Sequence, residues 1–323
     1  MKDSRQHVYH AKILLFGEYS VIKNSMALTI PFSHFHGELR FLFDDTYTNY
    51  DFAKHSNKKI YNFLGYVREL EKQHKLNFPF DTDQFADDRK NGLYGESSIP
   101  EVYGVGSSGG RMASLYDKYS DFNPLTLDTK QMNELKKNMA LLESFYHGTS
   151  SGIDPLNALI SKPLLFRGNG DVQITDIHLP AKNPDFAVFL INSGKKGKTG
   201  PLVNYFMEKT GQHGNGSIDI QHLNSITNQS IESIIAGDNH SFFHNLSSLS
   251  AFQLTHLSKM IPDGFRTLWK EGLESESYYL KLCGSGGGGF ILGFTNNFPS
   301  VRHIMEGKNI DINPVYVNEL SEP

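Results

Sequence analysis

The chain has 323 residues, of which 38% are hydrophobic and 20% charged, with a formal net charge of −4. This composition excludes a disordered chain and is typical of one large or two ordinary globular domains. It shows neither the basic excess of a nucleic-acid-binding protein nor the roughly 18 consecutive apolar residues of a membrane-spanning helix. A single cysteine, Cys283, excludes an intramolecular disulfide, so we expect a cytoplasmic protein in which this thiol is a small buried residue.

The first half of the chain predicts strands followed by amphipathic helices. Short apolar or alternating runs predict three strands: Lys12–Phe16, Met26–Pro31 and Gly37–Phe43. Apolar residues three and four apart predict three helices: Asn57–Leu76, Ser107–Tyr119 and Thr129–Tyr146. Asp128 is the expected N-cap of the last helix, and Gly148 the glycine at its end. Phe78–Glu96 is polar and predicts turns.

The second half mixes strands and helices. The predicted strands are Pro163–Phe166, Asp185–Ile191, Tyr278–Cys283, Gly289–Phe294 and Pro314–Val317. The predicted helices are Leu202–Met207, Ile218–Ala236, His240–Leu257 and Gly264–Glu271. No repeat or low-complexity linker separates these elements. We place a domain boundary near residues 180–190, giving an N-terminal domain of residues 1–185 and a C-terminal domain of residues 186–323.

Two glycine-rich segments stand out from this pattern. Five of the six residues from Gly284 to Gly289 are glycine, which suits a tight backbone shape or a close approach to a ligand. Gly104–Gly109 has the sequence GVGSSG and precedes a predicted helix. The free N–H groups of a helix N-terminus bind anions, and Ser107 and Ser108 add hydroxyl groups, although tight turns of this kind are often purely structural.

Glu143 is a carboxylate in an unfavourable place. Helical periodicity puts it within about 60° of the apolar stripe, and near a helix C-terminus the dipole disfavours negative charge. Such a carboxylate needs compensation, either from Mg²⁺ bound with ATP or from a salt bridge to a lysine or arginine.

Asp154 and Lys12 form the remaining candidate pair. In transfer of phosphate to an alcohol, an aspartate can accept the proton and a lysine can stabilise charge. The alternatives are an ordinary turn aspartate and a solvated lysine at a strand end. Lys195, Lys196 and Lys198 form a basic loop, either simply solvated or placed to screen an anionic substrate. The 14 histidines show no zinc-binding spacing.

The order of four segments resembles the GHMP kinases, the superfamily of galactokinase, homoserine kinase, mevalonate kinase and phosphomevalonate kinase. The matching segments are KILLFGEYSVIKNSMALTIP (12–31), GVGSSGGRMA (104–113), ESFYHGTSSGID (143–154) and LCGSGGGGFILG (282–293). The third is closest to the mevalonate kinase pattern E-x-x-x-H-G-x-P-S-G-x-D. The stretch 192–199, NSGKKGKT, resembles a further motif of that branch.

The resemblance implies a two-domain α+β fold, an N-terminal domain like domain 2 of ribosomal protein S5 and a ferredoxin-like C-terminal domain, with the active site in the cleft between them. The implied function is an ATP- and Mg²⁺-dependent kinase acting on a small-molecule alcohol, with mevalonate as the first expectation. Phosphomevalonate, a sugar or a sugar phosphate remain open as acceptors. A non-catalytic small-molecule sensor of the same fold and a homodimer also remain open.

The resemblance also implies residue roles. The catalytic residues would be Asp154 as base and Lys12 as the stabiliser of charge. The ATP-binding residues would be Gly104, Val105, Gly106, Ser107, Ser108 and Gly109. Ser108 and Glu143 would hold Mg²⁺. The substrate-binding residues would be Glu18, His147, Thr199, Gly286 and Gly287.

The chain departs from the family pattern at several positions. Gly109-Gly110-Arg111 stands where alanine usually follows the paired serines, and Thr149-Ser150 replaces a residue–proline pair. No proposed catalytic group is lost. The departures leave mevalonate less firmly assigned than kinase activity itself.

Overall fold

The structure is a computed structural model that describes residues 7–44, 47–122, 127–180, 182–211 and 217–317. The backbone of His147 is described, but its side chain is not. The chain forms two compact units that interleave in sequence. The first unit comprises residues 1–12, 30–101 and 106–162, and the second comprises residues 13–29, 102–105 and 163–323. The predicted boundary at residue 185 stays a prediction.

The described residues form the following strands: β1 Tyr9–Phe16, β2 Ala27–Phe41, β3 Leu93–Ser97, β4 Leu164–Phe166, β5 Val172–Ile174, β6 Ala187–Asn192, β7 Tyr279–Leu282, β8 Phe290–Thr295 and β9 Ile312–Val317. The helices are α1 Tyr50–Lys72, α2 Thr82–Lys90, α3 Ser107–Tyr119, α4 Thr129–His147, α5 Ile153–Ile160, α6 Thr199–Thr210, α7 Ile220–Ala236, α8 Asn239–His256, α9 Arg266–Ser275 and α10 Phe298–Gly307. Within these described ranges, none of the helices is both long and apolar enough to cross a bilayer.

The strands form two sheets, in agreement with the predicted α+β class. One sheet has the strand order β1-β2-β4-β5, with β3 also pairing to β2. The other has the order β7-β8-β6-β9 and lies within the second unit. All three of its pairings are antiparallel.

Strand β2 is continuous where the sequence predicts two strands. Its first residues, 27–29, pair with β4, whereas residues 37–41 pair with β3. Pro31 lies between these two sets of pairings. Each half of the strand therefore carries its own hydrophobic pattern, which explains the two separate predictions.

Helices α3 and α4 form much as the sequence predicts. The bounds of α3 agree, and its predicted stripe of Met112, Leu115, Tyr116 and Tyr119 is buried. Asp128 caps α4 by accepting a hydrogen bond from the backbone N–H of Gln131 at 2.8 Å, and the Gln131 side chain completes a capping box. Gly148 ends the helix with a φ of 71°.

The prediction of turns alone across Phe78–Glu96 is wrong. Helix α2 and strand β3 lie in this stretch. Asp81 caps α2 through the backbone N–H of Gln84, and Phe85 is fully buried. The helix carries few other apolar residues, so its sequence lacks a clear helical stripe, and tertiary packing of Phe85 supplies the stabilisation instead.

The second unit has its own aromatic core. Trp269 is the single tryptophan of the chain. It is fully buried and donates its indole N–H to Ser250 Oγ at 2.8 Å. Tyr278 is buried as well and donates its hydroxyl hydrogen to the carbonyl oxygen of Leu268 at 2.8 Å. Cys283 is buried, as expected.

Candidate active site

The first unit brings the beginnings of two helices into direct contact. Gly109 lies in the first turn of α3, and a β-carbon added to it would be 2.8 Å from the carbonyl carbon of Asp154 in the first turn of α5. No side chain fits in that space, so glycine is required for the approach. The free N–H groups of two helix N-termini thus lie in one region, which favours the binding of an anion.

Lys12 and Asp154 form an ion pair beside these helix ends. The Lys12 ammonium lies 2.8 Å from Asp154 Oδ1. The lysine side chain is only 6% exposed, whereas the aspartate side chain is 32% exposed. Lys12 is therefore not the solvated strand-end lysine that the sequence left open, and the Asp154 carboxylate remains accessible from solution.

Gly106 lies against this pair. It precedes α3 with a φ of 77°, a left-handed conformation that glycine adopts readily. A β-carbon at this position would be 3.1 Å from Lys12 Cγ and 3.3 Å from Asp154 Oδ2. Because even a methyl group would be crowded here, glycine lets the backbone before α3 lie directly against Lys12 and Asp154.

Glu143 lies on α4 and is buried, with 4% of its surface exposed, as its helical position predicts. Its Oε1 accepts a hydrogen bond from Ser108 Oγ at 2.7 Å, and its Oε2 accepts one from Ser150 Oγ. Burial and the negative charge of Asp154 raise the pKa of Glu143 to about 7, against the opposing effects of both serine hydroxyls and of Lys12. The ionised form of Glu143 is therefore disfavoured in this environment, chiefly because the carboxyl group is buried.

The position of Glu143 depends on close packing between α4 and the start of α5. A β-carbon on Gly152, which precedes α5, would lie 2.2 Å from the carbonyl oxygen of Lys136 on α4. Sequence reasoning did not assign a role to Ser150, the second hydroxyl bound to Glu143. Its signal was present, because it lies in the same segment as Glu143 and Asp154.

Among the described residues, no group of three or more His, Cys, Asp or Glu side chains could hold a metal ion. The oxygen atoms gathered at Glu143 are those of its own carboxylate and of the Ser108 and Ser150 hydroxyl groups. Magnesium prefers oxygen ligands and is usually held by one or two carboxylates together with substrate phosphates. This donor set therefore fits Mg²⁺ only in combination with a nucleotide.

The second unit holds the glycine turn, which we define as residues 284–289. Gly284, Gly286, Gly287 and Gly289 all have φ between 70° and 74°. A β-carbon on Gly286 would lie 2.3 Å from the carbonyl oxygen of Met260, so that position requires glycine. Thr199 begins α6, and its hydroxyl lies 2.9 Å from Ser285 Oγ. Three of the predicted substrate-binding residues, Gly286, Gly287 and Thr199, are thus brought together.

Glu18 lies in a different environment from the one expected of a pocket residue. Its carboxylate accepts a hydrogen bond from the Lys281 ammonium at 2.5 Å, and the two side chains are 1% and 0% exposed. Lys281 also donates to the carbonyl oxygen of Leu282 at 2.6 Å. The Glu18 carboxylate is closed off from solution, and its substrate-binding role stays a prediction. Sequence reasoning missed Lys281, whose signal was a lysine inside an apolar strand.

The other predicted residues divide between the two units. Gly104 and Val105 belong to the second unit, where a β-carbon on Gly104 would lie 2.6 Å from the carbonyl oxygen of Cys283. The side chain of His147, a predicted substrate-binding residue, lies outside the described residues.

Arg111, which departs from the family pattern, and the basic loop have different surroundings. Arg111 donates a hydrogen bond to the Tyr146 hydroxyl at 3.2 Å, one helical turn beyond the Ser108–Glu143 contact on each helix. Lys195, Lys196 and Lys198 are exposed, as expected of a solvated loop.

No protein-family model matches the chain, and no curated protein sequence matches it significantly. Solved structures do match over nearly the whole length. Mevalonate kinase from L. major in complex with R-mevalonate is 15% identical with a TM-score of 0.60, covering 95% of this chain and 92% of that one. Phosphomevalonate kinase from Streptococcus pneumoniae in complex with phosphomevalonate and AMPPNP is 15% identical with a TM-score of 0.61, covering 96% and 99%.

Galactokinase from Lactococcus lactis in complex with galactose is 14% identical with a TM-score of 0.63, covering 98% of this chain and 94% of that one. These three proteins act on different acceptors and share one architecture. The chain therefore has the GHMP kinase fold, as its four motifs indicated. At this level of identity the likeness establishes the fold and leaves the substrate open.

Proposed function

We propose that this protein is an ATP- and Mg²⁺-dependent kinase that transfers the terminal phosphate of ATP to the hydroxyl group of a small-molecule alcohol. The observation that carries the proposal is the Lys12–Asp154 ion pair at 2.8 Å, placed beside two helix N-termini and next to the Ser108–Glu143 contact. A general base, a buried cation and an anion-binding helix end are the parts that phosphoryl transfer to an alcohol requires.

In this proposal, Asp154 accepts the proton of the acceptor hydroxyl, whose oxygen then forms the new bond to phosphorus while ADP leaves. Lys12 stabilises the negative charge that develops on the acceptor oxygen and the transferring group. Ser107 and the backbone N–H groups at the start of α3 bind the phosphates, and glycine at positions 106 and 109 lets this backbone lie close to Lys12 and Asp154. The catalytic effect is mainly one of positioning and electrostatics.

Ser108 and Glu143 would hold Mg²⁺, which supplies positive charge to the phosphates when bound with the nucleotide. The pKa of about 7 for Glu143 is consistent with this assignment, because burial and the charge of Asp154 both disfavour the bare carboxylate, and a bound cation would offset that cost. The residues Gly286, Gly287 and Thr199 would contact the acceptor, and so would His147.

Mevalonate is the acceptor we propose first, with 5-phosphomevalonate as the product. The support is the segment 143–154, which resembles the mevalonate kinase pattern, together with the similarity of the fold to a mevalonate kinase in complex with R-mevalonate. Phosphomevalonate and galactose remain alternatives, because kinases of these acceptors match equally well in TM-score.

The test is ADP release from Mg-ATP, measured by a coupled assay against mevalonate, phosphomevalonate, homoserine, galactose and heptose phosphates. Turnover with mevalonate alone would establish the reaction and its acceptor. Turnover with another compound would keep the kinase and replace the acceptor. ATP binding without turnover of any compound would contradict the kinase proposal for this panel and favour a sensor.

A further inference from the structure

Two consecutive side chains of the second unit hold the chain on either side of the entry to the glycine turn. Glu18 pairs with Lys281, three residues before the turn, at 2.5 Å. Tyr19 donates its hydroxyl hydrogen to the carbonyl oxygen of Ser285, the second residue of the turn, at 2.5 Å. The segment 17–19 thus contacts the turn itself through one short hydrogen bond and the strand that leads into it through one ion pair.

The backbone of the segment 17–19 is strained, and this strained conformation allows the contact between Tyr19 and Ser285. Tyr19 has a φ of 63°, which is rare for a large side chain. Gly17 has a φ of 117°, and a β-carbon on it would lie 2.5 Å from Ala27 Cβ. Strain of this kind persists only where the surroundings determine the conformation, and it is found mainly at functional sites.

The conformation places the Tyr19 ring inside the second unit, where it is 5% exposed and packs against Phe206 with ring centroids 4.9 Å apart. Burial and the nearby charge of Glu18 raise the pKa of the Tyr19 hydroxyl. The phenol therefore stays protonated at neutral pH and can serve as a hydrogen-bond donor to Ser285.

The glycine turn is held by hydrogen bonds and close backbone contacts rather than by packing of its side chains. Glycine contributes no side-chain packing and has the largest conformational freedom of any residue. Ser285 is the one residue of the turn with a side chain. Its carbonyl oxygen is bound by Tyr19, and its hydroxyl lies 2.9 Å from that of Thr199. Two backbone N–H groups, of Gly287 and Gly289, bind the carbonyl oxygens of Met260 and Lys195, each at 2.6 Å.

We propose that Tyr19 is a positioning residue that fixes the glycine turn in its binding conformation through the Ser285 carbonyl. The assignment of the turn to the acceptor rests on the proposed function. With the turn already ordered, binding of the acceptor does not have to order a flexible glycine segment, and its affinity is higher. Loss of the phenol hydroxyl should therefore weaken acceptor binding rather than slow the chemical step.

The experiment compares Tyr19→Phe with Tyr278→Phe. Tyr278 provides a matched control, because it is also a buried tyrosine of the second unit whose hydroxyl donates to a backbone carbonyl, that of Leu268 at 2.8 Å. Both substitutions remove one oxygen atom and keep the ring. Amide hydrogen exchange of residues 282–290 reports on the turn without any substrate, and steady-state kinetics report on the acceptor.

We expect Tyr19→Phe to accelerate exchange in the turn and to raise the acceptor KM, each by about two- to twelvefold, the range for one hydrogen bond. The kcat should change less than twofold, because the bound acceptor completes the ordering of the turn. Tyr278→Phe should leave both the exchange rate of the turn and the KM as in the unmodified protein.

Unchanged exchange in Tyr19→Phe would overturn the proposal, and so would equal effects of the two substitutions. Faster exchange with an unchanged acceptor KM, or with a change in the ATP KM alone, would refute the link to the acceptor. The exchange measurement stands apart from the proposed function. If the unmodified protein turned over no acceptor, the kinase proposal would fail. Amide hydrogen exchange would still show whether the Tyr19–Ser285 contact orders the turn.

Discussion

The two units each contain a lysine–carboxylate pair, and the two pairs differ chiefly in their access to water. In the first unit, Lys12 lies 2.8 Å from Asp154, whose side chain is 32% exposed. In the second unit, Lys281 lies 2.5 Å from Glu18, and neither side chain is exposed by more than 1%. The same chemical groups can therefore act on a substrate in one unit, whereas in the other they are confined to holding the fold.

The balance of charge also differs. The Lys281–Glu18 pair is neutral as a whole, with the lysine also bound to a backbone carbonyl. The Lys12–Asp154 pair has a further carboxyl group nearby, that of Glu143, whose pKa is raised first by burial and then by the charge of Asp154. An excess of negative charge, costly in a purely structural cluster, is appropriate where a cation accompanies the substrate.

The largest effect should follow from Asp154→Asn. The amide keeps the shape of the side chain but cannot accept the proton of the acceptor hydroxyl. We expect turnover to fall by about 10²- to 10⁴-fold, measured as ADP release at saturating Mg-ATP and acceptor. Asp88→Asn is the control, because Asp88 also forms a lysine pair in the first unit, with Lys118 at 3.2 Å. Equal activity of the two variants would remove Asp154 from the mechanism.

The second prediction concerns stability. Lys281→Met should lower the free energy of unfolding by about 3–5 kcal/mol, because Glu18 would be left as a buried charge without its partner. Lys12→Met should cost less, since Asp154 remains in contact with water. Urea denaturation of the two variants measures this difference.

A double variant provides the control for that prediction. Glu18→Gln combined with Lys281→Met removes both buried charges and should be more stable than Lys281→Met alone. If the single and double variants unfolded at the same urea concentration, or if Lys12→Met were the less stable single variant, the contrast between the two pairs would be wrong.

The third prediction is a pH dependence of the first unit. Since the folded state raises the pKa of Glu143 from 4.5 to about 7, it binds this proton more tightly than the unfolded chain does. The free energy of unfolding should therefore fall as the pH rises from about 4.5 to about 7, in the absence of Mg²⁺ and nucleotide.

Glu143→Gln should make the curve of unfolding free energy against pH flatter over this window, as measured by urea denaturation at a series of pH values. Glu134→Gln, an exposed substitution on the same helix, should leave the slope unchanged, and a similar change in both variants would contradict the assignment.

The smallest effect should come from Gly106→Ala. The new methyl group would lie 3.1 Å from Lys12 Cγ and 3.3 Å from Asp154 Oδ2, in a backbone conformation with a φ of 77°. We expect a several-fold weaker binding of Mg-ATP, measured by calorimetry, from the strained backbone and the filled space. Gly170→Ala shares the positive φ, at 92°, but has no atom within 4 Å of the added carbon. Equal losses in both variants would assign the effect to backbone strain alone.

Local patterns predicted the helices next to the site well and its long-range contacts poorly. The α4 helix could be read from its stripe and from the Asp128 cap, and helical periodicity alone placed Glu143 toward the core. Helix α2 was missed because Phe85 is nearly its only large apolar residue. The information that predicted α4 therefore lay within one or two turns of the residue concerned, whereas α2 depends on the tertiary packing of Phe85.

Contacts between distant residues have no such local signal. Lys12 and Asp154 are brought together by β1 and α5, and only the resemblance to a family suggested that they meet. Lys281 and Glu18 are 263 positions apart, and the pairing was not predicted. The backbone strain at Tyr19 was equally invisible, because tyrosine carries no preference for the left-handed conformation it adopts there.

The single tryptophan gives the protein a built-in optical probe of one unit. Trp269 lies fully buried in the second unit with its indole N–H bound to Ser250. Its emission should shift to longer wavelength when that unit opens, whereas the first unit has no tryptophan to respond. Fluorescence and circular dichroism recorded on the same sample would then distinguish the loss of the second unit from that of the whole chain, with no label attached.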